Sequence, residues 1–485
     1  MFLTNEKIIE AYNNGLTEVM SLIKLLTNEI KTLNDTNKIL TDRVEILEKQ
    51  INKNSNNSSK PPSTDGFKKK TKSLRVKSDK KVGGQTGHIG NTLELKENPD
   101  EILTYTVENC DICGTSLKDI PVERIIIRQV IDIPEIKVKV IEHRSEVKKC
   151  SKCRRKNTGK FPSEVKSTVQ YGERIKAVSV YLSNYQLIPY KRGSELINDM
   201  FNIHLSQGSM VNFNKTCHKK LELIENDIKN TISNHDSSVH FDETGIYVEK
   251  KRKWLHVAST NKLTYYAIHK NRGEKALNDI NILPIFKGIA VHDFWKSYFG
   301  YTNASHAMCN AHILRELNAI AELEKQSWSK DMKSLLLAIK TEVDITFNKA
   351  NAVTLDKIIG FEEKYDKILI TGFAEDSLKN KAVYSKPKSK KSTSLQLLNR
   401  FDKYKNEILT FMYNFDVPFD NNQAERDIRM VKVKQKISGT FRSSNLSKTF
   451  TRIRGYISSI RKNTLDTFEA IQSVFSGTPI NPALI

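Results

Sequence analysis

The chain has 485 residues, 38% of them apolar and 28% charged, which is enough material for two to four domains with packed cores. No run approaches twenty consecutive apolar residues, which argues against a membrane span, and the opening MFLTNEKIIEAYNNG has acids and no long apolar stretch, which argues against a secretory signal. Lys and Arg number 78 against 56 Asp and Glu, a net charge of +22, so a cytoplasmic, nucleoid-associated protein with a polyanion partner is expected.

A coiled coil is the first predicted element, within residues 1–53. From Val19 to Ile51 apolar residues recur every seven positions. One seam reads Val19, Leu26, Leu33, Leu40, Leu47 and the other Ile23, Ile30, Asn37, Val44, Ile51. Leucine at d with β-branched residues at a favours two parallel strands, and the lone Asn37 fixes register because its amide pairs only with its mate. A homodimer or higher assembly is expected. Residues 54–95 form a polar, basic linker that cannot bury a core. Its lysines, Lys68, Lys69 and Lys70 first, suit either a solvated tail or an arm that neutralises phosphates.

Residues 96–165 carry two CxxC pairs, Cys110–Cys113 and Cys150–Cys153. Each spacing lets two thiolates face one metal, and two such pairs complete a tetrahedral site for structural Zn2+. Disulfides are disfavoured in a chain without a secretory signal. The intervening ERIIIRQVIDIPEIKVKVIEHR (123–144) alternates as strands do, so a zinc ribbon with hairpins presenting the ligands is expected, with Arg154 and Arg155 placed to touch phosphate. Residues 166–236 read as helices, with a break at Asn202–Leu205 and a second helix capped by Ser206. That pattern fits a helix-turn-helix and any αα-hairpin equally. Cys217 reads as a packed thiol.

The fold class expected is multidomain α+β with a ribonuclease-H-like core. Residues 237–309 open it: three strands (SSVHFDETGIYVEK, KWLHVAST, LTYYAIHK), a helix, then the strand GIAVHD. Asp242 sits inside the first strand and Asp293 at the end of the last. An Asp within an apolar strand is costly without a metal or partner, and carboxylates on adjacent strands suit a pair of divalent ions in phosphoryl transfer. Glu243 points to the opposite face. Residues 310–415 form a helical insertion. In 416–443, DVPFDNNQAERDIRMV, Pro418 ends the preceding helix, Asp420 is the expected N-cap and Gln423 completes a capping box. Glu425 then supplies the third acid, one turn before Arg429. A solvated Glu425–Arg429 pair is the bland alternative, and the basic tract that follows favours the functional one. Residues 426–462 hold eleven basic residues, six of the nineteen arginines and one acid, Asp427, and codon drift toward lysine cannot cluster arginine. Arg426, Arg429, Arg442, Arg452 and Arg454 are the expected phosphate contacts, continuing into a basic C-terminal tail, 444–485.

NSSKPPSTDG (57–66), GGQTGHIGNTL (83–93), the paired CxxC, YGERIKAVSVYLS (171–183), HFDETG with WLHV (240–257), HDFWKSY (292–298), CNAHILREL (309–317), DNNQAERDIR (420–429) and SGTFRS (438–443) follow one another along nearly the whole chain. In these motifs and their order the chain resembles transposases of the insertion-sequence-66 family, TnpC-type proteins with a DDE catalytic domain. The resemblance implies an acidic triad of Asp242, Asp293 and Glu425 holding Mg2+ (or Mn2+), terminal inverted repeats and target DNA as partners, and helper proteins of the same element. It implies an insertion before the last acid, whose basic segment 378–391 could lie along DNA. Cys309 and His312 belong to the family's pattern as CxxH; two ligands alone do not make a zinc site, and their role stays open between packing and function. The end of the chain is richer in Lys and Asn than the resemblance leads one to expect. A non-catalytic DNA-binding regulator, or a nuclease of the same fold without strand transfer, are the alternatives.

Overall fold

The computed structural model describes residues 4–58, 93–347, 349–350, 352–384 and 392–485. The Lys68–Lys70 arm and residues 385–391 of the basic segment lie outside them. The described residues divide into two compact units. One draws on Met1–Lys72, Val169–Gly193 and Ser206–Ile485, the other on Ser73–Thr168 and Ser194–Leu205. Among the described residues no helix is long and apolar enough to cross a membrane.

In the first unit, Gly15 at φ 103° separates α1 (Asn5–Asn13) from α2 (Leu16–Ile51); a glycine adopts that backbone without a Cβ clash. α2 is 36 residues long and buries none of them. The predicted seam residues Ile23, Ile30, Leu33, Leu40, Val44 and Leu47 are all exposed along it.

The second unit contains the hairpin β1 (Val147–Lys149) and β2 (Lys156–Thr158), paired antiparallel. The run 123–144, expected as strands, joins no ladder, and its Ile125, Ile126, Val130 and Val140 are exposed. Alternation makes a strand only where a neighbouring edge accepts it, and this hairpin is only three residues long.

Helices follow: α3 (Glu173–Val180), α4 (Tyr190–Phe201), α5 (Gln207–Lys220) and α6 (Glu222–Ser233). α4 ends on Asn202 in the left-handed region (φ 51°), and Ser206 caps α5 by accepting the Ser209 N–H at 3.0 Å. The break and cap stand where the sequence puts them. Cys217 is fully buried on α5, as a packed thiol should be.

The first unit's core is a five-stranded sheet of order β5-β4-β3-β6-β7. β3 (Ser238–Val248), β4 (Lys251–Ser259) and β5 (Thr264–His269) form an antiparallel meander. α7 (Glu274–Ile280) then leads to β6 (Ile289–His292) and β7 (Ser305–Met308), β6 parallel to β3 and β7 parallel to β6. Gly288 is required at the start of β6, because a Cβ there would lie 2.5 Å from the Ser237 carbonyl oxygen. The insertion is helical: α8 (Asn310–Ala319), α9 (Trp328–Thr346), α10 (Leu355–Tyr384), α11 (Thr393–Lys403) and α12 (Lys405–Tyr413). Trp328, Leu336, Phe401 and Met412 form its core, which also takes in Val291, Ala307 and Met308 and so seats the insertion on β6 and β7.

α13 (Asn422–Ser438) lies on β3 and β4, where Ala424, Ile428 and Val431 meet Ile246, Val248, Leu255 and Val257. α14 (Ser444–Lys462) packs against β5, and α15 (Thr467–Ser476) follows. Residues 444–485 are therefore not a tail. Phe450, Ile453, Tyr456, Ile457 and Ile460 of α14 are buried, and the basic residues of this helix ride on a core element.

Candidate active site and zinc knuckles

Strand alternation orients β3. Ile246 and Val248 face α13, and His240 and Asp242 share their parity; Phe241 and Glu243 point the other way, toward Tyr298. Asp242 thereby stands on the face that Glu425 approaches from α13, and Asp293 follows directly on β6, the strand beside β3. The three acids, far apart in sequence, feel one another. Burial raises the Asp242 carboxyl well above its usual range, and the neighbouring charges of Glu243, Asp293 and Glu425 add to the rise. Backbone donors fix one oxygen of each strand acid: Asp242 Oδ1 accepts the Glu243 N–H at 2.8 Å, and Asp293 Oδ1 accepts the Trp295 N–H at 2.9 Å.

Glu243 is tied away from this face. Its Oε1 accepts from Arg272 Nε at 2.8 Å, its Oε2 accepts the Tyr298 hydroxyl, and Arg272 stacks over Trp295 and Trp254. Glu243 is raised by burial too, and Arg272 and Tyr298 partly offset that.

The start of α13 departs from expectation in an informative way. Asn421, not Asp420, is the N-cap, and the preceding helix ends at Tyr413, before Pro418 is reached. Asp420 Oδ1 still accepts the Asn422 N–H at 3.0 Å. Asn421 turns its side chain to the sheet, donating Nδ2–H to the Phe241 carbonyl at 2.8 Å and accepting from His240 Nδ1 at 2.7 Å. Its backbone N–H donates to Cys309 Sγ at 3.1 Å, and the Cys309 N–H donates to the His292 carbonyl at 2.9 Å. One asparagine thus ties α13, β3 and the start of α8 together beside all three acids. Gln423 closes no capping box; its amide donates to Asp427 Oδ2 at 3.1 Å.

Glu425 forms no ion pair with Arg429 among the described residues; Arg429 is exposed. The Glu425 neighbour is His312, whose Nε2 lies 3.8 Å from Oε1, and that oxygen is buried without a hydrogen-bond partner. His312 Nδ1 is 3.2 Å from Cys309 Sγ, and burial pushes the Cys309 thiol up to about 12. Asn421, Cys309 and His312 are the site residues that sequence reasoning left without roles, although DNNQ and CNAH were the signals.

The expected phosphate contacts divide. Arg426, Arg429 and Arg442 are exposed, as are Arg154 and Arg155 on the second unit. Arg452 and Arg454 are not available. Arg452 Nε donates to Glu225 Oε2 at 2.6 Å and its Nη1 to the His218 carbonyl, while Arg454 is 4% exposed over the Tyr185 ring. The tract's one acid, Asp427, is also interior, paired with Lys462 at 2.8 Å.

In the second unit both CxxC turns have the same build. The Cys110 N–H donates to the Thr115 carbonyl and the Gly114 N–H to the Cys110 carbonyl; Cys150, Arg155 and Arg154 repeat the pattern, all at 2.9 Å. Gly114 (φ 73°) and Arg154 (φ 60°) take the matching left-handed position. Hydrogen bonds from Thr115 pull the Cys113 thiol down to about 7, and backbone donors of Cys153 and Lys152 lower Cys150. Each pair is a formed knuckle.

Comparison with known protein families gives three matches. Residues 11–94 match a family of unknown function. Residues 108–154 match the zinc-finger binding domain of IS66 transposases; the match contains all four knuckle cysteines and supports a structural zinc ion. No curated protein matches the chain. Residues 168–448 match the family described as transposase IS66. That match spans more than half the sequence and takes in Asp242, Asp293, Glu425 and the asparagine that gathers their elements. The chain belongs to the IS66 family of transposases.

Proposed function

We propose that the protein is a DNA transposase that cuts the ends of an insertion sequence and joins the freed 3′-hydroxyls to target DNA, with Asp242, Asp293 and Glu425 as the catalytic acids. The sheet order, three antiparallel strands followed by two parallel ones, supports a ribonuclease-H-like core. The observation that carries the reading is the meeting of three acids from two strands and a helix. Three carboxylates gathered at a largely buried place are stable only with a cation or a proton, and an all-oxygen donor set fits hard divalent ions such as Mg2+ or Mn2+. Such ions supply polarisation of the phosphodiester and a lowered pKa for the attacking oxygen. The protein's part is placement. The N–H groups of Glu243 and Trp295 hold one oxygen of each strand acid and leave the other for ligation. Arg272 and Tyr298 keep the Glu243 carboxylate occupied elsewhere. Water attacks the phosphorus at the element end and gives up a proton, the P–O3′ bond breaks, and the departing 3′-oxygen takes up a proton. That hydroxyl then attacks a target phosphorus, losing its proton, as the target's own P–O3′ bond breaks and the released target 3′-oxygen is protonated.

Arg426, Arg429 and Arg442, exposed on and just after the helix that carries Glu425, are placed to hold the phosphates of the cut strand. The zinc module, with the α4–α5 pair as helix-turn-helix, would read the terminal repeats, and α2 would pair two chains. The test uses the full chain with duplexes carrying the DNA that flanks its gene. Asp242→Asn, Asp293→Asn and Glu425→Gln each abolish Mg2+-dependent cleavage and leave duplex binding intact. Cleavage by Asp242→Asn would overturn the assignment. Cutting without joining by the parent chain makes it a nuclease, and binding without cutting makes it a regulator.

A further inference from the structure

Cys309 at the N-cap of α8, His312 one turn later and Glu425 on α13 bring their ligand-type atoms within 4.8 Å of one another. The i,i+3 spacing folds the imidazole back over its own cap. The ring then spans the other two groups with different nitrogens: Nδ1 lies 3.2 Å from Cys309 Sγ, and Nε2 lies 3.8 Å from Glu425 Oε1. The sulfur also accepts the Asn421 N–H at 3.1 Å, and Oε1 is buried without a hydrogen-bond partner.

Counting protons decides how such a bridge works. A neutral imidazole has one N–H. If Nδ1 carried it, the bare Nε2 lone pair would face a carboxylate oxygen. If the thiol donates S–H to Nδ1, the ring proton sits on Nε2 and points at Oε1, and both contacts are favourable. A metal shared by the three groups would take only one ring nitrogen, whereas here the two nitrogens face two different partners.

We propose that Cys309 and His312 are positioning residues for the third acid: the Cys309 S–H sets the His312 tautomer, and the His312 Nε2–H holds Glu425 Oε1 so that Oε2 is the ligand oxygen. This rests on the acidic-triad reading above. The 3.8 Å gap exceeds a hydrogen bond, so the proposal requires the Glu425 carboxylate to turn toward the ring. Partners behind a metal ligand commonly matter by tenfold or more in metal affinity.

The test is Mn2+ binding to the full-length, zinc-loaded chain by isothermal titration calorimetry, alongside the Mn2+ dependence of strand cleavage. His312→Ala should weaken Mn2+ about tenfold and raise the half-activating concentration equally, with duplex affinity unchanged. His312→Gln, whose amide N–H reaches the Nε2 position, should restore most of both. Cys309→Ser keeps a donor and should behave like the parent, while Cys309→Ala should fall with His312→Ala. Parental Mn2+ affinity in His312→Ala, or no recovery in His312→Gln, overturns the proposal. A cobalt(II) thiolate absorption band that disappears in Cys309→Ser overturns it too, because the sulfur would then be a metal ligand. If Glu425→Gln binds Mn2+ as the parent does, the triad reading itself has failed and the positioning role goes with it. If Glu425→Gln is impaired and His312→Ala is not, only the positioning role fails.

Discussion

Lys434 places its ammonium near the rings of Tyr190 and Phe450, where among the described residues it donates only to the Ser183 carbonyl at 3.4 Å. Burial lowers it to about 8, below the value near 10.4 that a solvated lysine keeps. The unfolded chain therefore binds more protons between those two values, and stability rises with pH across that window. Lys434→Met removes the buried charge and should raise stability at pH 7 by about 1 kcal/mol, lifting the melting temperature a few degrees. It should also flatten the rise between pH 8 and 10, and a variant melting below the parent at pH 7 would contradict the argument. Burial likewise sorts the arginines. Replacing Arg426, Arg429 or Arg442 by alanine should weaken DNA binding at all sequences and reduce the slope of log affinity against log salt by roughly one each. Arg454→Ala should leave that slope alone and lower the melting temperature, because it empties a buried site beside the Asn184 and Tyr185 carbonyls. Clustering in sequence made all five arginines look alike, since a basic residue on a buried helix face and one on an open face have the same letter.

At the scale of elements, periodicity was legible where a helix could satisfy its own hydrogen bonds and misleading where a partner strand was needed. α2 forms across the heptad run because each turn bonds to the next. The run 123–144 has an equally regular alternation, but a strand's hydrogen bonds lie outside itself, and the hairpin of the second unit offers no edge long enough to take it. The proposed acids stood out for a related reason: an Asp inside an apolar strand, and one at the end of another, violate the local pattern. The cap of α13 was misplaced by one residue because Asp420 and Asn421 are both good caps, and only the sheet decides which side chain is needed elsewhere. The exposed seam of α2 yields a further expectation. Asn37 stands at an a position between Ile30 and Val44, so Asn37→Leu should raise the thermal stability of an assembled coil while loosening its choice of oligomer. Sedimentation equilibrium of both full-length proteins reads this; a parent that stays monomeric at tens of micromolar contradicts it.

For the whole molecule, what differs between the two units is how each can hold itself together. The first unit has three buried apolar clusters, on both faces of the sheet and through the insertion. The second leaves Ile125, Val130, Val140 and Val147 exposed, and little apolar burial is available to oppose chain entropy. Its two knuckles are preformed, with Cys113 and Cys150 lowered toward the thiolate. Drawing both knuckles onto one zinc ion would then be a folding step for this unit, and metal free energy would stand in for the missing core. Removing zinc with a strong chelator should accordingly make residues 93–168 sensitive to brief proteolysis while fragments from 206–485 persist. Because zinc binding needs thiolates, the same sensitivity should appear on acidification, where protons compete with zinc for the four sulfurs. Chelated protein should keep salt-dependent, sequence-independent DNA binding through the exposed arginines of the first unit and lose its preference for element ends. If chelation changed neither the cleavage pattern nor that preference, the knuckles would not be a metal-folded reading head.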